Sequence, residues 1–267
     1  MIDWISIYRA QFAVTFGAQL QYRASLAIWL LGLVLAPVIS LVVWTTVAAS
    51  GGGQAGGFSQ GEFAAYFLAL LVANHLTFTW VAWDFEFRVR NGSLSGQLLR
   101  PVDPIHANIA DNVTYKVITL LAVVPATAVL AWAFEPAADT SWLNLVLFLP
   151  VVALAATLRF LVEYSLAMAA FWTTRVFAIN DLYYVPLFFF SGQLVPLALL
   201  PDWVRAVGNL LPFRWMLSFP VEVAIGRVAP SEVPIGVACQ LAWIGAFLVV
   251  RSMAWRHGVR RYSAVGA

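Results

Sequence analysis

SGQLVPLALLPDWVRAVGNLLPFRWMLSFPVEVAIGRVAPSE, residues 191–232, is the stretch on which the fold turns. Beyond its first ten residues it holds Pro201, Pro212 and Pro220. These are too many for one continuous helix. Yet the stretch is too apolar and aromatic for a solvated loop. Proline suits the first turn of a helix, so the spacing predicts short helices over 202–211 and 213–225, the second kinked at Pro220. Irregular backbone at membrane depth is tolerated only against protein or a water-filled cavity. The stretch therefore reads as a re-entrant or interfacial hairpin on one face of a membrane protein. Gly192, Pro196, Pro201, Trp203, Pro212 and Glu222 are its marker residues.

The rest of the chain supplies the membrane. Apolar residues make up 62% of the 267 and charged ones 10%, against roughly 45–50% and about 25% in a soluble domain. A spanning helix needs about 20 mostly apolar residues. Six stretches qualify: 24–47, 63–83, 117–134, 145–170, 182–200 and 233–250. The fold class is thus all-α integral membrane, with one transmembrane domain over 1–267: a leading helix (1–23), six spans (24–250) and a tail (251–267). Basic residues set the orientation. With both termini inside, the inner segments hold Arg9, Arg23, Arg88, Arg90, Arg100, Lys116, Arg175, Arg251, Arg256, Arg260 and Arg261, and the outer ones only Arg205, Arg214 and Arg227. Both ends are therefore expected in the cytoplasm, with a multi-pass chain in the plasma membrane.

Within residues 1–23, Trp4, Ile5, Tyr8, Phe12 and Phe16 recur mostly at three- or four-residue spacing. That pattern reads as an amphipathic helix lying in the inner interface, the plainer reading being a flank that leads into the first span. The loop 48–60, with glycines at 51–53 and 56–57, reads as a flexible connector. Ten of the tryptophans, Trp29, Trp44, Trp83 and Trp132 among them, fall mostly near span ends, as an interfacial belt does.

Enzyme signatures are missing. There is no G-x-x-x-x-G-K-[ST] phosphate loop and no H-E-x-x-H. His75, His106 and His257 are far apart and lack metal-ligand spacing, so no catalytic residue and no metal site is assigned. No basic run with interleaved aromatics suggests nucleic acid. Cys239 stands alone and says nothing about redox compartment.

Two groups of residues could carry function. The first is the inner loop 84–112, where Arg88, Arg90 and Arg100 stand among glycines and prolines. A helical stub over 93–99 would present Leu94, Leu98 and Leu99 on one side, either to dock in a groove on a cytoplasmic partner or as part of a simple connector. The second is a set of intramembrane polar residues: Asn74 and His75 in the second span, Arg159 and Glu163 in the fourth. A charge at the bilayer centre costs roughly 2.5–3.5 kcal/mol on insertion scales, so such groups face the bundle and pair. Arg159 and Glu163, at i and i+4, share a helical face with the small residues Ala155, Ala167 and Ala170 close by. The pair reads either as a structural ion pair or as part of a translocation path. His75 reads as a packed, hydrogen-bonded histidine or as a proton relay. Residues 188–190, all phenylalanine, read as a packing or lipid-facing patch or as the wall of an apolar path.

The order of these pieces resembles ABC-2 type permeases, and within them the bacterial branch that includes viologen-type exporters. The resemblance lies in Gly92-Ser93-Leu94 running to Leu98-Leu99-Arg100-Pro101, in Ala170-Phe171-Trp172, and above all in Phe190-Ser191-Gly192-Gln193-Leu194-Val195-Pro196. Leu200-Pro201-Asp202-Trp203, Leu211-Pro212-Phe213 and Phe219-Pro220-Val221-Glu222 follow it. It covers essentially the whole chain and implies a transport subunit without catalysis of its own. Two cytoplasmic ATPase subunits would bind ATP and Mg, so this chain carries no cofactor. A second permease would complete the path, a different chain more often than an identical one. The resemblance also implies that the N-terminal helix and the first inner loop touch the ATPases, and that the outer hairpin caps the exit. The rival readings are an ion-coupled secondary transporter or channel built on Asn74, His75, Arg159 and Glu163, which lacks the expected inverted repeat, and a membrane-embedded enzyme, which lacks a nucleophile–base pair.

Overall fold

The computed structural model describes residues 4–21, 23–173 and 176–262. Arg175, residues 263–267 and the side chains of Trp4, Arg23 and Trp29 lie outside that description. The elements in order are α1 (Trp4–Gln21), α2 (Arg23–Ser50), a hairpin of β1 (Gln54–Ala55) and β2 (Phe58–Ser59), α3 (Gln60–Thr77), α4 (Val81–Arg90), α5 (Leu94–Leu98) and α6 (Ile105–Phe134). They continue with α7 (Trp142–Ala167), α8 (Val176–Phe190), α9 (Asp202–Leu210), α10 (Pro212–Met216), α11 (Ser218–Ala224) and α12 (Val233–Arg261). Among the described residues, four helical stretches are long and apolar enough to cross a membrane: Gln60–Arg90, Ile105–Phe134, Trp142–Phe171 and Val233–Arg261. Two shorter apolar stretches, Pro37–Ser50 and Val176–Phe190, stand beside them. The protein is an all-α membrane protein.

Burial explains the arrangement. α3 and α7 are central: Phe63, Tyr66, Phe67, Leu70, Leu158 and Val162 are buried in one cluster with much of 215–223. Around them α2, α6, α8 and α12 turn Leu31, Leu35, Leu121, Val124, Leu182 and Val249 outward. In water such surface would drive aggregation, whereas lipid tails solvate it without cost. Both central helices start on capping boxes, Ser59 with Glu62 and Ser141 with Asn144, which satisfy two otherwise orphaned backbone donors.

The structure corrects four boundaries. The second span is not continuous: α3 stops at Thr77, three residues run non-helically, and α4 resumes at Val81. The fifth apolar helix ends at Phe190 rather than 200, because Gly192 takes φ +81° and Pro196 follows. α6 begins at Ile105, about twelve residues before its apolar core, and its polar first turns pack against α1. The hairpin's second helix breaks at Leu217 (φ −138°, ψ −58°) and not at Pro220, because Pro220 sits in the first turn of α11, where a missing N–H costs nothing.

The second half of the hairpin is buried, whereas its first helix, α9, is exposed. Trp215 to Val221 are all buried, and Gln240 on α12 donates from Nε2 to the carbonyls of Val151 (3.1 Å) and Trp215 (2.9 Å). Asn144 donates to Val223 O at 3.1 Å. Close approach is bought with glycine: a Cβ at Gly236 would lie 2.0 Å from Cζ of Phe219, and one at Gly192 would lie 2.2 Å from the Tyr66 hydroxyl, which donates to the Gly192 carbonyl at 3.0 Å.

α1 forms as expected, but its polar side chains face the protein. Thr15 donates to Asp111 at 2.8 Å, Gln19 to the Asp111 carbonyl at 3.3 Å, and Tyr8 hydrogen-bonds His106 at 2.7 Å. Ile5, Val14 and Phe16 point outward. A helix with its apolar residues turned away from the protein is suited to the boundary of the acyl region.

Candidate functional site

The intramembrane polar residues split into two groups. Arg159 and Glu163 form an ion pair, Nε to Oε1 at 3.0 Å, with both side chains 2% exposed. The guanidinium then reaches across to the end of α3, where Nη1 donates to Asn74 Oδ1 (2.8 Å) and Thr77 Oγ1 (3.2 Å). Its Cζ lies 5.5 Å from the Phe78 ring centre. This placement explains how a buried arginine is tolerated. α3 terminates there, its last carbonyls carry the negative end of the helix dipole, and a cation is the group that complements them. Tyr183 on α8 donates to Glu163 Oε1 at 3.5 Å. Glu163 Oε2 is buried without a partner.

His75 stands apart from this centre. It faces α6, 3.2 Å from Thr119 Oγ1 and 3.4 Å from the Lys116 carbonyl. Lys116, the one lysine of the chain, donates to Asn112 Oδ1 at 2.5 Å. Thr77 and Tyr183 were not singled out from sequence. Thr77 could have been, since it lies three residues after Asn74 on the same helical face. No local signal marks Tyr183.

A cleft of about 860 Å³ opens between α2 and α8, and Arg159 and Asn74 lie at its base. Ile39, Val43, Trp44, Leu70, Phe188 and Phe189 form its walls. Two of the three consecutive phenylalanines, Phe188 and Phe189, thus line the cleft. The Trp44 indole donates to the Leu194 carbonyl at 2.9 Å and ties the two walls together at one end.

The two ends of the bundle differ in charge. At one end lie Arg88, Arg90 and Arg100, with Arg251, Arg256, Arg260 and Arg261 of α12. Arg88 is used inside the chain, donating to the Asp84 carbonyl at 3.1 Å and to Asn108. Arg251 pairs with Asp103 and lies over the rings of Tyr164 and Trp255. Arg90 and Arg100 are exposed. The stub α5 does not present its leucines together. Leu94 is wholly buried with Phe85, Tyr164 and Met168, Leu98 packs against the same cluster, and Leu99 alone projects, 87% exposed. The reason is geometric: on a helix Leu94 and Leu98 share a face, and Leu99 lies about 100° from Leu98.

At the opposite end the hairpin residues surround a smaller pocket. Pro196 lines it with Arg205, Arg214, Glu222 and Arg227. Glu222 is held by Arg214 (2.8 Å) and by Ser218 (2.8 Å), and Arg227 by Glu62 (2.6 Å). Gly192 and Pro212 are buried, whereas Pro201 and Trp203 are exposed at the start of α9.

Six apolar helical stretches thus surround a cleft, with a proline-rich hairpin between the last two. A family model described as "ABC-2 family transporter protein" matches residues 34–266. The chain belongs to the ABC-2 transporter family. No curated protein and no solved structure matches it. ABC-2 permeases are membrane subunits that generally work with ATPase subunits and typically lack an ATPase site of their own. This permease is therefore a multi-pass transport protein, and the cleft and the arginine-rich end are its candidate working parts.

Proposed function

We propose that this permease is the membrane subunit of an ATP-driven exporter. It moves a hydrophobic or amphipathic substrate out of the cytoplasm, with two separate ATPase subunits binding ATP and Mg and a second, homologous permease completing the path. The arginine-rich end faces the cytoplasm of a bacterial cell, both termini lie on that side, and the hairpin caps the outer exit. The observation that carries this reading is the segregation of exposed cationic groups. Arg90, Leu99 and Arg100 project from the α4–α5 elbow, and Arg256, Arg260 and Arg261 project beside them at the end of α12. The other end pairs its arginines internally.

The elbow is the proposed ATPase contact, made through Arg90, Leu99 and Arg100. Arg88, Leu94 and Leu98 hold its shape from within. Purification of the complex from its native membrane tests the proposal. ATPase subunits should co-purify, and Leu99→Asp with Arg100→Glu should release them while the permease stays monodisperse. ATP hydrolysis by a verified single-chain preparation would overturn it.

A further inference from the structure

The cleft between α2 and α8 has apolar walls and a charged base, and the charge is of one sign. Among the described residues its lining contains Arg159 and no carboxylate. Glu163, which does not line the cleft, neutralises Arg159 through Nε, and Asn74 and Thr77 take Nη1. Among the described residues, Nη2 of Arg159 has no hydrogen-bond partner. A guanidinium carries five donors in a planar fork, so one of its nitrogens, Nη2, stays available beside an 860 Å³ apolar space.

We propose that the cleft takes an anionic amphiphile: one acyl or aryl chain lying along Ile39, Val43, Phe188 and Phe189, with its carboxylate, sulfonate or phosphate on Nη2 of Arg159. Inside a membrane an anion desolvates only where a cation waits for it. A charge-assisted hydrogen bond in a low-dielectric site is about twice as strong as a neutral one. The apolar walls supply affinity without discrimination, so the head group is where selection occurs. The proposal deepens the exporter reading by naming its substrate class, but the binding itself needs no ATPase.

The test uses the purified chain in an uncharged maltoside detergent. Three photoreactive probes share one diazirine-bearing alkyl chain and end in a carboxylate, an alcohol or a quaternary ammonium. Labelled peptides are mapped by mass spectrometry. The carboxylate should label 39–44 and 185–194 about tenfold more than the alcohol, the worth of one charge-assisted hydrogen bond, and the ammonium should label least. Glu163→Gln should raise this preference, because it unmasks Arg159. Arg159→Gln with Glu163→Gln, which leaves no lone charge to unfold the chain, should abolish it. Equal labelling by all three probes, or a preference that survives in the double variant, would overturn the proposal. Loss of ATPase co-purification with the labelling preference intact would instead count against the exporter reading alone.

Discussion

The Arg159–Glu163 pair permits a sharp energetic prediction. Removing one member of a buried ion pair costs about 3–5 kcal/mol, because it strands the other charge. Arg159→Gln should sit at the upper end of that range. It deletes the 3.0 Å bond to Glu163 and the bonds to Asn74 and Thr77, leaving the carboxylate only the long 3.5 Å contact from Tyr183. Glu163→Gln should cost less, about 2–3 kcal/mol. A glutamine carbonyl still accepts from Nε, and the C-terminal end of α3 still faces the guanidinium. The double variant strands no charge and should lose about 2–3 kcal/mol, mostly the lost bonds to α3. The coupling energy is then about 4–5 kcal/mol, well above the roughly 0.5 kcal/mol scatter of independent sites. Equilibrium unfolding in mixed micelles, followed by tryptophan fluorescence, measures all four corners of the cycle. Additive losses would refute the pairing.

Three further outcomes follow from the packing. Gly236→Ala should destabilise the protein by about 1–3 kcal/mol, because the buried ring of Phe219 stands 2.0 Å from the new methyl. Gly245→Ala, on the same helix with nothing within 4 Å, should be neutral or slightly stabilising in the same assay. Leu94→Asp should abolish folded yield by placing a carboxylate in a wholly buried aromatic cluster, whereas Leu99→Asp should leave yield unchanged and weaken ATPase co-purification. In a Cys239→Ser background, a cysteine at position 53 should react with an impermeant reagent applied outside and one at position 99 should not; labelling of position 99 would reverse the assigned orientation.

Much of the fold is legible in the sequence because membrane burial is written in long apolar runs. The spans at 145–170 and 233–250 appear as helices, α7 starting three residues earlier and α12 running on through residues 251–261. The proline rule located α9 to within one residue. What the runs hide is where a helix stops inside them. Thr77-Phe78-Thr79-Trp80 is as apolar as its surroundings and contains no glycine or proline, so hydropathy passes straight through a break that the tertiary structure imposes. The early end of α8 is similar: Leu194 to Leu200 continue the apolar run, but the chain has already turned at Gly192 to reach the hairpin.

The site follows the same logic, with the local part readable and the cross-helix part hidden. The i, i+4 spacing of Arg159 and Glu163 predicts a shared face, and the structure forms the bond. Asn74 was visible as an expensive polar residue, but its partner was not, because the contact spans 85 residues. Once the break at Phe78 is known, the connection follows from electrostatics. A helix that ends inside the bundle turns the negative end of its dipole toward apolar surroundings; here Asn112 takes the Phe78 carbonyl, and Arg159 takes the Asn74 and Thr77 side chains. The complementary group must be cationic, rigid and able to serve several acceptors at once. Among the side chains packed on α3 at that depth, Arg159 meets all three conditions. Lysine would not, since its ammonium is more strongly hydrated and presents no planar fork. The arginine is therefore demanded by the break in α3, and Glu163 by the arginine. The cleft inherits Nη2, the one guanidinium nitrogen with no partner among the described residues.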